Sequence, residues 1–423
     1  MRKILLISFI FLISSCTGSF EDSGTPVRLV VSVNPDVSKN IPCPGQQLEV
    51  PQTPGLVLLD PNRFSSASNQ TNSCGAFFPL SGVGFDVVNG AETIVSPSVF
   101  VSVPSQSVVK QLTYVHSANN TVQDPNTLVQ KLEFKYTPID KNDDPAFCPT
   151  HLSVSRDNQY LAVLDNPNDI SKLCGDNTTR LPRVIIFKIV DGSIFKRVKV
   201  SKNNFIDGTT KEMSIALLNN RLYVLGEFGN KFRISSFNIL ATDPITDFIK
   251  SDDTKLPPTF SSFPNPSSKV DLSIVQNSNS QTILLASLFD NNVGQVFPIV
   301  EDLTLKTIAF GDERLSGSLA TDLPIGKVTT IRSNAFSSSI SSNFTLYLRP
   351  NNILFQRNTQ FAAQTISSPI DATFPADNTI WVLNTTRLFK VDTRDFPEKP
   401  QFDTGIDFSD LNPGNLVWVL DEN

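Results

Sequence analysis

The chain has 423 residues, with 35 lysines and arginines against 41 aspartates and glutamates, a net charge of −6, and only 2 histidines. That balance excludes a general electrostatic attraction for nucleic acid or for anionic lipid headgroups. Its 29 prolines, with abundant Asn, Ser and Asp, disfavour long helices. Phe, Val, Ile and Leu come instead in short bursts, which points to an all-β chain with long polar connections and a sizeable core.

In chain order, the first element is residues 1–15. Arg2 and Lys3 are followed by the apolar run Ile4 to Ile13, which is shorter than the ~20 residues a bilayer span needs and reads as the core of an export signal. Ile13-Ser14-Ser15-Cys16 resembles the lipobox of bacterial lipoproteins, with Ile where Leu is usual. The resemblance implies cleavage before Cys16, a diacylglyceryl thioether on its sulfur, and an acylated mature N-terminus carrying chains such as palmitate. Attachment then comes from the acyl chains, each buried CH₂ contributing ~0.8 kcal/mol. The plainer alternative is an ordinary secretory signal with an incidental cysteine. Removing residues 1–15 leaves 33 basic and 41 acidic residues, a net charge of −8. Residue 17 is Thr and not Asp. Under the enterobacterial sorting rule this favours the outer membrane over the inner, with the periplasmic or surface side undetermined. Residues 16–26 form a small polar tether.

The remaining cysteines are Cys43, Cys74, Cys148 and Cys174. In an oxidising compartment an even number suggests disulfides, and four cysteines allow three pairings. Cys43 with Cys74 and Cys148 with Cys174 are the expected pairs, because each closes a local loop. No C-x-x-C occurs, so a cysteine metal site has little support.

From Val27 on, a phrase recurs: turn-forming residues, a short apolar burst, then usually a polar residue. Its eight copies are Gly55–Asp60, Leu112–His116, Tyr160–Asp165, Arg221–Gly226, Thr282–Ser287, Phe344–Arg349, Thr379–Asn384 and Asn415–Leu420. They recur about every 51 residues, close to the size of a propeller blade. The bursts are apolar on both faces, as strands packed between two layers must be. Leu152–Val163 reads as strand, Asp157-Asn158 turn, strand, and Met213–Val224 and Ile370–Val382 repeat it. Residues 151–190, and less closely 212–239 and 370–392, resemble blades of the Tyr-Val-Thr-Asn and lactonase-like propeller group. The expected fold is a β-propeller of seven blades, with six or eight accommodated. Residues 27–100 are read as an N-terminal β extension or first blade, and 101–423 as the propeller proper. A pair of β-sandwiches is the alternative. The C-terminal burst is expected to close the ring against an N-terminal strand.

The chemistry is sparse. Asp140, Asn142 and Asp144 match the first half of a calcium loop, but Pro145 stands where Gly is needed and no Glu follows at the twelfth position, so a solvated acidic turn is the competing reading. Asp165, Asn168 and Asp169 make a similar oxygen-rich turn. No cofactor is expected, and Ca²⁺ is the one cation these residues suggest. His116 and His151 are candidates for a general base in a channel, or for hydrogen-bonded strand ends. No G-x-S-x-G elbow, H-E-x-x-H helix or phosphate-binding glycine loop occurs. Two function classes stay open. One is a membrane-anchored binding or scaffold propeller with a protein or glycan partner and no nucleic acid. The other is a lactonase-like hydrolase with a channel metal, for which the burst ends Asp60, His116, Asp165, Glu227, Ser287, Arg349, Asn384 and Asp421 are mixed in charge. The Ser- and Asn-rich stretches 260–268 and 334–342 are candidate recognition loops.

Overall fold

The computed structural model describes residues 27–35, 39–40, 49–50, 53–59, 77–89, 98–115, 127–138, 144–167, 174, 181–199, 213–228, 231–242, 249–250, 269–276, 282–290, 293–311, 327–331, 344–349, 352–357, 360–367, 369–376, 379–392, 401–402 and 406–420. Among them the regular elements are strands, apart from one short 3-10 turn at Pro104–Gln106.

The strands form seven antiparallel sheets of four or more, beside a small pair, Lys39–Asn40 with Glu49–Val50. The first sheet runs outward from Pro413–Leu420 through Val27–Val33 and Gly55–Leu59 to Phe77–Pro79. The second begins with Val87–Asn89 and continues through Ser98–Val103, Val108–Val115 and Thr127–Lys135. The third is Pro149–Val154, Tyr160–Asp165, Arg183–Lys188 and Ile194–Lys199, and the fourth Met213–Leu218, Arg221–Phe228, Lys231–Asn238 and Ile249–Lys250. The fifth is Lys269–Gln276, Thr282–Asp290, Val293–Asp302 and Thr307–Phe310, and the sixth Lys327–Ile331, Phe344–Arg349, Asn352–Arg357 and Gln360–Gln364. The seventh is Pro369–Ala376, Thr379–Asn384, Arg387–Asp392 and Gln401–Phe402, with Ile406–Asp407 also beside its third strand.

The first strand of each sheet packs against the first strand of the next, and Pro369–Ala376 packs against Pro413–Leu420, so the sheets close into a ring. The fold is an all-β propeller. Closure joins the two ends of the chain: Val27 pairs with Leu420 and Val31 with Leu416. This arrangement also explains why eight bursts accompany seven sheets. The first burst, Gly55–Leu59, and the last, within Pro413–Leu420, are strands of one sheet.

The double-faced apolar bursts follow from this geometry. In Tyr160–Asp165, Leu161 and Val163 pack with Phe100, Val109 and Phe134 of the second sheet. Ala162 and Leu164 pack with Ile215, Leu217 and Val224 of the fourth. Similar cores lie between the seventh and first, first and second, and fourth and fifth sheets. Burial of this kind, roughly 1.5–3 kcal/mol per large side chain, is what holds neighbouring sheets together.

Each inner strand starts at one face of the ring, here the upper face, and ends at the lower. Links from an outer strand to the next inner strand, and from second to third strands, lie at the upper face. Links from inner to second strands, and from third to outer strands, lie at the lower. The Asp157-Asn158 turn sits at the lower face. Ser155 Oγ accepts the Gln159 and Tyr160 N–H groups at 3.1 and 2.9 Å and donates to Asp157 Oδ1 at 2.6 Å. Asn158 adopts φ 54°, and Asn219 of the corresponding turn φ 55°, a left-handed conformation that Asn tolerates.

Candidate functional site

Polar residues stand in a row near the upper ends of the inner strands, each just before an apolar residue: Asp86, His151, Ser214, Asp271, Asp371 and Asn415. This is where a propeller could gather side chains round its axis. Three of them instead bond to the backbone of the next sheet. Asp86 Oδ2 accepts the Leu152 N–H at 2.7 Å, Ser214 Oγ accepts the Leu272 N–H at 3.0 Å, and Asp371 Oδ2 accepts the Leu416 N–H at 2.9 Å. The other Asp371 oxygen accepts the Ala372 N–H at 2.8 Å. One step further along, Ser153 Oγ accepts the Leu217 N–H at 2.8 Å. These bonds satisfy strand donors that face a neighbouring sheet and not a ladder partner. Asp271 accepts from Ser273 at 3.1 Å and, more weakly, from Ser214 at 3.4 Å.

His151 is half-buried in this row. Its Nδ1 lies 3.3 Å from Thr150 Oγ1, and its ring meets Phe85 edge to face, with centroids 6.1 Å apart. His116 lies outside the described residues. Among the described residues no group of three or more His, Cys, Asp or Glu side chains is arranged to hold a metal ion.

Most of the bursts are not inner strands. Five of the eight bursts are second strands, two are third strands, and one is innermost. Two of their terminal polar residues, Asp165 and Asn384, act as structural caps, while the Ser287 hydroxyl is buried without a hydrogen-bond partner. Asp165 is fully buried. One of its oxygens accepts the Cys148 N–H at 2.7 Å and the other the Arg183 Nε–H at 2.6 Å. Arg183 also donates to the carbonyls of Asp144 and Ala146 and stacks 3.8 Å over the Tyr136 ring. Asn384 does the same work in the seventh sheet: its amide donates to the Ser367 carbonyl at 3.1 Å, while its oxygen accepts the Thr386 and Arg387 N–H groups. Both residues pin the upper-face link that leads into their own inner strand.

Of the calcium-loop candidates, Asp140 and Asn142 lie outside the described residues. Asp144 Oδ1 accepts the Ala146 N–H at 2.9 Å. Cys148 and Cys174 form a disulfide across a 26-residue separation, with Cα atoms 5.7 Å apart. It joins the link into the third sheet to the link between that sheet's second and third strands, beside the Asp165–Arg183 pair. Cys16, Cys43 and Cys74 lie outside the described residues.

Two polar clasps between sheets went unread in the sequence. Glu301, on the third strand of the fifth sheet, receives Arg221 Nε at 2.6 Å and the Tyr223 hydroxyl at 2.7 Å, and Ser236 donates to it as well. Burial, then the bond to Glu301, raises the Tyr223 pKa far above its ordinary value. Lys196 of the third sheet donates to the Ile239 and Ala241 carbonyls of the fourth, and burial lowers its pKa. Both are contacts that only a folded ring brings together.

No family model matches the chain, and no curated protein matches it. Among solved structures it is similar to a functionally unknown protein from Desulfotomaculum acetoxidans, at 8% identity and a TM-score of 0.52, over 93% of this chain and 99% of that one. A periplasmic gluconolactonase of Pseudomonas aeruginosa, PpgL, matches at 12% identity and a TM-score of 0.49, over 94% and 100%. At 8% identity the likeness to the Desulfotomaculum acetoxidans protein concerns the fold alone.

Proposed function

We propose that this chain is an exported lipoprotein, acylated at Cys16 and anchored in the cell envelope, with the outer membrane favoured over the inner. Its propeller is a non-catalytic module that binds a protein or glycan partner. The observation that carries the binding reading is the commitment of Asp86 and Asp371 to backbone N–H groups of the next sheet. Carboxylates spent in this way are joints of the ring. A lactonase-like hydrolase would need such groups free to converge on a metal or a water. The Cys148–Cys174 disulfide suits an oxidising compartment outside the cytoplasm.

The test is a pull-down from envelope extracts beside a hydrolase screen with divalent metals. Stretches 260–268 and 334–342 lie outside the described residues; in sequence the first falls between Ile249–Lys250 and Lys269–Gln276, whose facing ends are at the upper face, and the second between Lys327–Ile331 and Phe344–Arg349, whose facing ends are at the lower. Deleting each in turn therefore identifies the binding face. Loss of a specific partner with folding intact supports the reading. Metal-dependent turnover of a lactone or ester, abolished by changing His116 or His151, rejects it in favour of the hydrolase.

A further inference from the structure

Among the described residues the exposed large apolar side chains are unevenly placed. Among the described residues they are Val115, Val129, Leu181, Val190, Leu240, Val300, Leu303 and Leu305. Leu181 is at the upper face. The other seven lie at the lower end of their strands, within two residues of it, or in the lower-face turns themselves. Three of them stand in the turn after the third strand of consecutive sheets, Val190 in the third and Leu240 in the fourth two residues past the strand and Leu303 in the fifth one residue past it, exposed by 82%, 49% and 61%. Leu305 extends the row at 71% exposure.

These turns are held in shape by polar neighbours, which leaves their apolar tips standing out. Asp191 receives the Ser193 N–H and hydroxyl at 2.9 and 2.6 Å. Asn238 receives the Leu240 N–H at 2.9 Å. Asp302 receives the Thr304 and Leu305 N–H groups at 2.8 and 2.9 Å. A soluble domain rarely sets apolar tips in a row on one side without something to cover them.

Val27–Val33 begins at the same face. Val27 pairs with Leu420, the lower end of the inner strand of the first sheet. Val27, the first described residue, therefore stands at the lower face, eleven residues after Cys16 in sequence, on a sheet lying across the ring from the fourth and fifth sheets. Eleven residues span at most about 40 Å when extended and roughly 20 Å as a flexible chain. An acyl anchor at Cys16 would thus hold one side of the lower face near the bilayer, with the apolar turns on the other side.

We infer that the lower face is a membrane-docking surface: Val190, Leu240, Leu303 and Leu305 dip into the interfacial layer of the bilayer that holds the Cys16 anchor. This inference rests on the anchoring reading above. The contact is apolar and not electrostatic, because Asp191 and Asp302 stand beside Lys188 and Lys306 in these turns. It leaves the upper face, with its disulfide-braced links, turned away from the lipid.

The test uses full-length lipidated protein reconstituted into phosphatidylcholine vesicles with brominated acyl chains. Val190→Trp, Leu240→Trp and Leu303→Trp are compared with Leu181→Trp, and the unsubstituted protein supplies the background of Trp381 and Trp418. Mass spectrometry of the Cys16 peptide and a thermal melt accompany each variant. Docking predicts that the three lower-face tryptophans shift blue and lose about half of their added emission, as interfacially buried side chains do, while Leu181→Trp is unquenched. Lipid present on Cys16 with all four tryptophans equally unquenched overturns the docking inference. In that case protection of the lower-face tryptophans from aqueous quencher by an envelope protein reassigns the surface to a protein partner. Absence of lipid on Cys16 overturns the anchoring reading and this inference with it.

Discussion

The Asp371 carboxylate accepts the Leu416 backbone N–H at 2.9 Å, tying the seventh sheet to the sheet that the two ends of the chain share. Closure thus has two parts. The Val27–Val33 and Pro413–Leu420 ladder joins the ends, and Asp371 joins that ladder to the rest of the ring. Replacing Asp371 by Ala leaves a buried N–H without its acceptor, which costs about 1–3 kcal/mol. Asp371→Asn keeps an oxygen there and costs less. Urea unfolding of the two variants measures the difference.

Truncation after Gly414 removes most of the inner strand of the closing sheet. Val27–Val33 then loses one of its two ladder partners, and the core shared by the first and seventh sheets, which includes Leu29, Val31 and Trp381, loses Leu416. The expected outcome is global loss of cooperative melting, not a frayed end. Unchanged thermal stability would mean that the sheets do not depend on closure.

Arg183 and Asp165 test the buried polar brace of the third sheet. Arg183→Met leaves the fully buried Asp165 carboxylate without its cation, and destabilisation of about 3–5 kcal/mol is expected. Adding Asp165→Leu should recover much of that loss, because an apolar pair avoids the desolvation of both charges. A double variant no more stable than the single would show that Asp165 matters through the Cys148 N–H instead.

The strands were legible because a sheet clamped between two others must be apolar on both sides, and bursts such as Tyr160–Asp165 and Thr379–Asn384 declare this directly. Ring closure was legible in the same way, since Asn415–Leu420 repeats the phrase at the far end. Which strand a burst becomes was not legible: Gly55–Leu59 is a third strand and Tyr160–Asp165 a second, with nothing local to separate them. For that reason the residues ending the bursts, weighed for a hydrolase channel and found mixed in charge, gave no sign of their place; the structure has Asp165 and Asn384 capping links. The row through Asp86, Ser214 and Asp371 was also hidden. Each looks like an ordinary polar residue before a strand, and its partner is 66, 58 or 45 residues away. Glu301 meets Arg221 across 80 residues, a distance at which composition and period carry no signal. A polar residue just before an apolar one at six of the seven inner strands is the one trace, visible only once the sheets are aligned.

Tyr223 makes stability depend on alkaline pH. Its folded pKa is raised, by burial first and then by Glu301, while the unfolded chain releases the proton near its usual value of about 10. The contribution is complete below about pH 10 and falls away as pH rises toward the folded value, because the unfolded state then holds fewer protons than the native one. Ultraviolet titration should show one of the 5 tyrosines ionising late, only with unfolding. In Tyr223→Phe that late component should be gone and the alkaline loss of stability smaller.

The most direct test of a lipid-anchored, exported propeller is the mass of the N-terminal peptide of the mature protein isolated from its own cell envelope. The account predicts a chain beginning at Cys16, with the added mass of a diacylglyceryl thioether, that moves from the membrane to the soluble fraction in the Cys16→Ser variant. A mature chain beginning elsewhere, or an unmodified Cys16 thiol on a protein that stays in the membrane fraction, would contradict it.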